Sequence, residues 1–150
     1  MVRSPIALTL APLIVAAGCG HGGAAAGPAG WQPMPGASAA WTTGSGANSQ
    51  EYHYVRKQFG GTLQDLASAV TIDVLLRNRG AKLQGSVPFA PCPGTAAVAT
   101  FTIPGGKTLE EGFAARDNQS VQTTYVRPSG APADPAVAAA MQSSLCIAPA

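Results

Sequence analysis

Gly18, Cys19, Gly20, His21 and Gly23 stand together in the stretch VAAGCGHGG. Three chemistries use such residues. The glycines spell G-x-G-x-x-G, which cradles a dinucleotide pyrophosphate when a strand precedes it and a helix N-terminus follows. Here the chain continues Ala24-Ala25-Ala26-Gly27-Pro28-Ala29-Gly30, with no acidic residue before Glu51, so neither the helix nor the ribose-binding acid is in place. Cys19 and His21 offer two metal ligands where a zinc site needs three or four. The third chemistry is proteolytic processing beside a cysteine, and the flanking residues favour it.

Elsewhere the reactive types are sparse. Of two histidines, His21 lies in the Gly/Ala-rich stretch and His53 sits between Tyr52 and Tyr54 in an alternating segment, where a packing or surface role outweighs catalysis. Glu110 and Glu111 are adjacent on an expected strand, so they face opposite sides and cannot act as one catalytic carboxylate pair. Asp117 belongs to a turn, and Asp73 lies on a helix flank where a solvated acid is the simpler reading. Asn118-Gln119-Ser120 fits a glycosylation sequon formally, without further support. No catalytic, metal-binding or cofactor-binding set is expected.

Upstream of Cys19, Arg3 is followed by an apolar run over residues 6–17, interrupted by Thr9 and Pro12 and ending in Ala16, Ala17 and Gly18. A charged start, a short apolar core and small residues before a cut are the parts of a secretory signal. The run falls short of the about 20 apolar residues needed to span a bilayer. VAAGC resembles the lipobox of bacterial lipoproteins, in which cleavage precedes a cysteine that receives the lipid. Matched residue by residue, Ala16, Ala17 and Gly18 precede the cut and Cys19 is the acceptor; Ala16 stands where the family usually has Leu. The resemblance implies a signal peptide over residues 1–18 and attachment to the membrane through a fatty-acylated Cys19. Gly20 follows where some bacteria place an Asp that retains lipoproteins in the inner membrane, so in a host with two membranes the outer one is expected.

Nine Lys and Arg against seven Asp and Glu in 150 residues leave the chain near neutrality. Without a basic block, neither nucleic acid nor anionic lipid is an expected electrostatic partner. With Cys19 acylated, Cys92 and Cys146 remain as an even pair in an exported chain, the composition of one disulfide; two separate buried thiols are the alternative.

Residues 19–49 are mostly Gly, Ala, Ser and Pro, which predicts a flexible tether after the acylated cysteine. Trp31, Met34 and Trp41 interrupt it, either as an arm docked on the domain or as an exposed aromatic patch. Residues 50–150 read as a single α+β domain. EYHYVRKQF alternates as a strand. Thr62 and Asp65 form a capping box for a helix with Leu63, Leu66, Ala67, Val70 and Val74 on one face, which Gly80 closes. Four short runs follow. Leu83, Val87 and Phe89 share a face in the first; Ala97, Ala99, Phe101 and Ile103 in the second; Leu109, Phe113 and Ala115 in the third; Val121, Thr123 and Tyr125 in the fourth. Asp134 and Pro135 then open a helix that buries Val137, Ala140, Met141, Ser144 and Leu145. The expected fold is an antiparallel sheet of about five strands covered by two helices, in the order β-α-β-β-β-β-α.

That order, with GGTLQDLASAV, CPGTAAVATF and TTYVRPSGAPADPAV, resembles the PsbP-like α/β/α domains of exported and thylakoid proteins over roughly residues 50 to 146. The resemblance implies an accessory or assembly role more often than an enzymatic one and transfers no site residues. The leading expectation is a lipid-anchored, extracytoplasmic accessory or interaction module of the cell envelope, on the cell or outer membrane, that contacts another envelope protein. The alternative is a carrier of a small apolar ligand, with Ala97, Ala99 and Gly85 leaving room between sheet and helices; an unrecognised enzyme comes third.

Overall fold

The computed structural model describes residues 26–146; the segment over residues 1–18 expected to be a signal peptide, the glycine pattern at Gly18–Gly23, Cys19 and His21 lie outside them. The elements are β1 (Gln32–Pro33), β2 (Ala40–Thr43), β3 (Gln50–Gln58), α1 (Leu63–Arg77), β4 (Lys82–Pro88), β5 (Ala96–Ile103), β6 (Lys107–Arg116), β7 (Gln119–Pro128) and α2 (Pro135–Leu145). All seven strands form one antiparallel sheet in the order β1-β2-β3-β7-β6-β5-β4.

The local signals operate as their chemistry requires. Thr62 Oγ1 accepts from the Asp65 amide at 3.2 Å, and Asp65 Oδ2 accepts from the Thr62 amide at 2.8 Å, closing the capping box that starts α1. The Thr62 amide and the Thr62 hydroxyl, donating to Asp65 Oδ2 at 2.8 and 2.7 Å, hold the exposed Asp65 carboxyl below its usual range. Asp134 Oδ1 accepts from the Ala136 amide at 2.8 Å and Pro135 opens α2. Asp117 and Asn118 both take positive φ, the conformation of a two-residue hairpin turn, and so join β6 to β7.

Strand alternation distributes the core over two faces. Ala99, Phe101, Leu109 and Phe113 project to one side and pack against Leu66, Val70 and Val74 of α1. Tyr52, Ala114, Val121 and Tyr125 project to the other and pack against Val137, Ala140, Met141 and Leu145 of α2. The helices therefore cover opposite faces. Gly112 makes the second contact possible, because a Cβ there would lie 2.6 Å from Met141 Cε and 2.5 Å from Thr123 Oγ1. The disulfide between Cys92 and Cys146, with Cα atoms 5.6 Å apart, ties the end of α2 to the turn before β5.

Two expectations are corrected. The sheet has seven strands rather than about five, because β1 and β2 come from the segment expected to be a tether over residues 19–49. Trp31 secures that arm. It is buried, lies edge-on to Tyr125 with centroids 6.1 Å apart, and donates from Nε1 to Asp134 Oδ2 at 3.1 Å. Trp41 adds a tilted contact with Tyr52 at 6.0 Å. The second correction concerns β4, where the register shifts between Leu83 and Gly85. Leu83 stands opposite Phe101 on the α1 face, while Val87 stands opposite Val98 on the α2 face. A bulge adds one residue and so reverses the alternation. Leu83 and Val87 consequently do not share a face, and both are substantially exposed.

Candidate functional site: a polar cleft beside helix α1

α1 lies over β5 and β6, which leaves the β3 and β7 half of that face open. His53, Val55 and Lys57 alternate onto this open half from β3, and Gln122 and Thr124 join them from β7. Asp73 and Arg77 overhang from α1, and residues 36–40 form the remaining wall. Together they enclose a cleft of 540 Å³, within the range of small-molecule sites.

The register explains how residues distant in sequence converge. Ala40, His53, Thr124, Glu111 and Ala99 are successive cross-strand neighbours, so they form one row across β2, β3, β7, β6 and β5. His53 Nε2 is 3.3 Å from Glu51 Oε2 on its own strand. Arg77 grips Asp73 with two contacts, Nε to Oδ1 at 2.9 Å and Nη2 to Oδ2 at 2.7 Å. Thr124 Oγ1 donates to Glu111 Oε1 at 2.8 Å. Lys57 and Gln122 make no side-chain hydrogen bond or ion pair among the described residues.

Glu111 is the unusual group. It is 8% exposed, between Leu109 and Phe113 on the core side of β6. Burial pushes its carboxyl from 4.5 up to about 7; the Thr124 hydroxyl opposes the rise, Asp73 adds to it, and Arg77 and Lys57 reduce it. Its chain neighbour Glu110 faces the other side, where it accepts from Arg127 Nη2 at 2.7 Å in a largely buried ion pair. Separate faces for the two glutamates are thus observed, as strand geometry requires.

On the α2 face, the Tyr52 phenol is driven up to about 12 chiefly by burial, with the Ser144 and Thr123 hydroxyls opposing. Tyr52 Oη is buried without a hydrogen-bond partner among the described residues. Tyr125 is also raised by burial, against the hydrogen bond its hydroxyl accepts from the Asp134 amide at 3.1 Å.

The remaining sequence candidates are dispersed. Asp117 stays in its turn, near Arg116 at 3.8 Å. Cys92 and Cys146 are joined in the disulfide and lie apart from the cleft. Ala99 is buried in the core beside Phe101, and Gly85 is exposed on the edge strand β4. Ala97 lines a separate cleft of 370 Å³ with Leu63, Ala67, Val87 and Phe113. Among the described residues no three His, Cys, Asp or Glu side chains are placed to hold a metal, and no helix is long and apolar enough to cross a membrane.

Sequence reasoning weighed Glu111 only as half of an acid pair with Glu110 and did not single out Lys57. A signal for Glu111 was present, since it shares its strand parity with Leu109 and Phe113. Lys57 carried none, because its role depends on α1 leaving β3 uncovered. No protein-family model, curated protein or solved structure matches the chain.

Proposed function

We propose that this protein is a lipid-anchored, extracytoplasmic module of the bacterial cell envelope that works by contact with another envelope protein rather than by turnover. The anchor rests on the VAAGC sequence, with Cys19 as the acylated residue. The contact role rests on one observation: the outer surface of α1 exposes Ile72 at 58%, Leu75 at 42% and Leu76 at 79%. Leu66, Val70 and Val74 already bury the inner surface, and these three apolar side chains stay out of the core formed by the described residues. Covering them would contribute roughly 1 kcal/mol or more each.

The partner's chemistry follows from the surroundings. Arg79 and Lys82 are exposed just beyond the patch, which suits an apolar surface rimmed by carboxylates. The arm nearest the anchor docks through Trp31 on the α2 face, so the patch points away from that entry. Six residues lie between Cys19 and Ala26, so the chain between them spans at most about 25 Å. The body is therefore held close to its membrane and presents α1 to a neighbour.

The test uses a photo-crosslinker at position 76 and, as control, at exposed position 142, in cells expressing the full chain. A discrete adduct with one envelope protein at 76, absent at 142 and abolished by Ile72→Glu in a stably folded protein, is expected. Adducts alike at both positions, or a self-adduct at 76, would overturn the partner reading. Fatty-acid labelling that survives Cys19→Ala would separately overturn the anchor. A second reading, carriage of a small apolar ligand, is favoured only by the 370 Å³ cleft beside Ala97 and Phe113.

A further inference from the structure

We propose that the cleft beside α1 binds a small organic monoanion, with its charged head on Lys57 and the free edge of Arg77 and its body against Ala37, Ala39 and Val55. This site is independent of the α1 patch and of the anchor.

Charge is the first support. Asp73 neutralises Arg77, and it does so through Nε and Nη2, which leaves Nη1 free to donate. Lys57 then supplies one positive charge with no ion-pair partner among the described residues. While the neighbouring Glu111 keeps its proton, below about pH 7, the lining therefore carries one net positive charge, which suits a single carboxylate better than a dianion.

Shape is the second. Val55 is 42% exposed on β3 and stands between the two polar residues of its own face, His53 and Lys57. An apolar strand residue in that position offers a surface for the body of a ligand and gives inorganic anions nothing. The small side chains of Ala37 and Ala39 keep the opposite wall from filling the 540 Å³ space. Gln122, whose side chain makes no hydrogen bond among the described residues, adds a donor and an acceptor on the floor.

Benzoate, benzamide and inorganic phosphate separate the contributions in a titration of the 15N-labelled full chain carrying Cys19→Ala. Benzoate should shift the amides of residues 36–40, 53–57 and 73–77 at saturable concentrations. Benzamide, isosteric but neutral, should bind at least tenfold more weakly, and Lys57→Met should weaken benzoate at least tenfold while leaving the thermal midpoint unchanged. Benzamide equal to benzoate, or Lys57→Met without effect, would overturn the anion role. Phosphate as tight as benzoate would overturn the organic body. Shifts confined to other residues would overturn the site.

Discussion

Glu111→Gln tests what a buried carboxyl does to this fold. The folded protein holds the Glu111 proton up to about pH 7, against the ordinary 4.5 of an unperturbed carboxyl. Below about pH 4.5 both folded and unfolded chains are protonated, so the group makes no pH-dependent contribution. Between the two values the unfolded chain releases its proton first, so stability declines as pH rises, and the decline is complete once the folded carboxyl has ionised. A separation of about 2.5 units at about 1.36 kcal/mol per unit gives a loss of roughly 3 kcal/mol. Glutamine keeps an oxygen for the Thr124 hydroxyl and does not titrate, although its amide N–H groups enter the same apolar surroundings. Urea denaturation of both proteins at intervals from pH 4 to 8.5 isolates the difference, since every other titrating group is common to the pair. Relative to wild type, Glu111→Gln should gain about 2–3 kcal/mol between pH 4.5 and 8.5. A difference that stays constant across that range would refute the assignment of Glu111 as a buried, proton-retaining group.

Trp31→Ala should destabilise the domain by about 3–5 kcal/mol in the same assay, because it removes a buried indole and its bond to Asp134; a loss under 1 kcal/mol would mean that the arm is not part of the core. Gly112→Ala should lower the thermal midpoint and weaken amide-exchange protection in α2, since its methyl meets Met141 and Leu145, and unchanged protection would contradict the close approach of helix and sheet. Replacing Cys92 and Cys146 together by Ala opens a link spanning 54 residues and should cost about 4 kcal/mol by loop-closure entropy, measured against the oxidised wild type in calorimetry. Equal stability of the two forms would reject that contribution.

The sequence made much of the framework readable, and particular residues show why. Thr62 with Asp65, and Asp134 with Pro135, announce helix starts because their hydrogen bonds are local. The parity of Phe101, Leu109, Phe113, Val121 and Tyr125 announces the faces of β5, β6 and β7 because pleating alternates every residue. β1 and β2 were not legible, since two and four residues are too few to show a period and their placement depends on Trp31 reaching Asp134, 103 positions away. A single added residue near Gln84 defeated the parity of β4. The cleft was hidden for a related reason. Its lining comes from four separate segments, residues 36–40, β3, α1 and β7, and it exists only because α1 covers β5 and β6 and stops short of β3.

The disulfide also divides the molecule mechanically. If tension acts between an anchor at Cys19 and a partner gripping Leu76, the load passes through β1, β2, β3 and α1, while the stretch closed by Cys92 and Cys146 lies outside that path. β1 holds β2 by only two residue pairs, so pulling would peel the outer strands in succession, with Trp31 as the first hook to release. β5, β6, β7 and α2 would stay enclosed in their covalent loop throughout, leaving β7 as a standing template on which β3 can zip back when the pull ends.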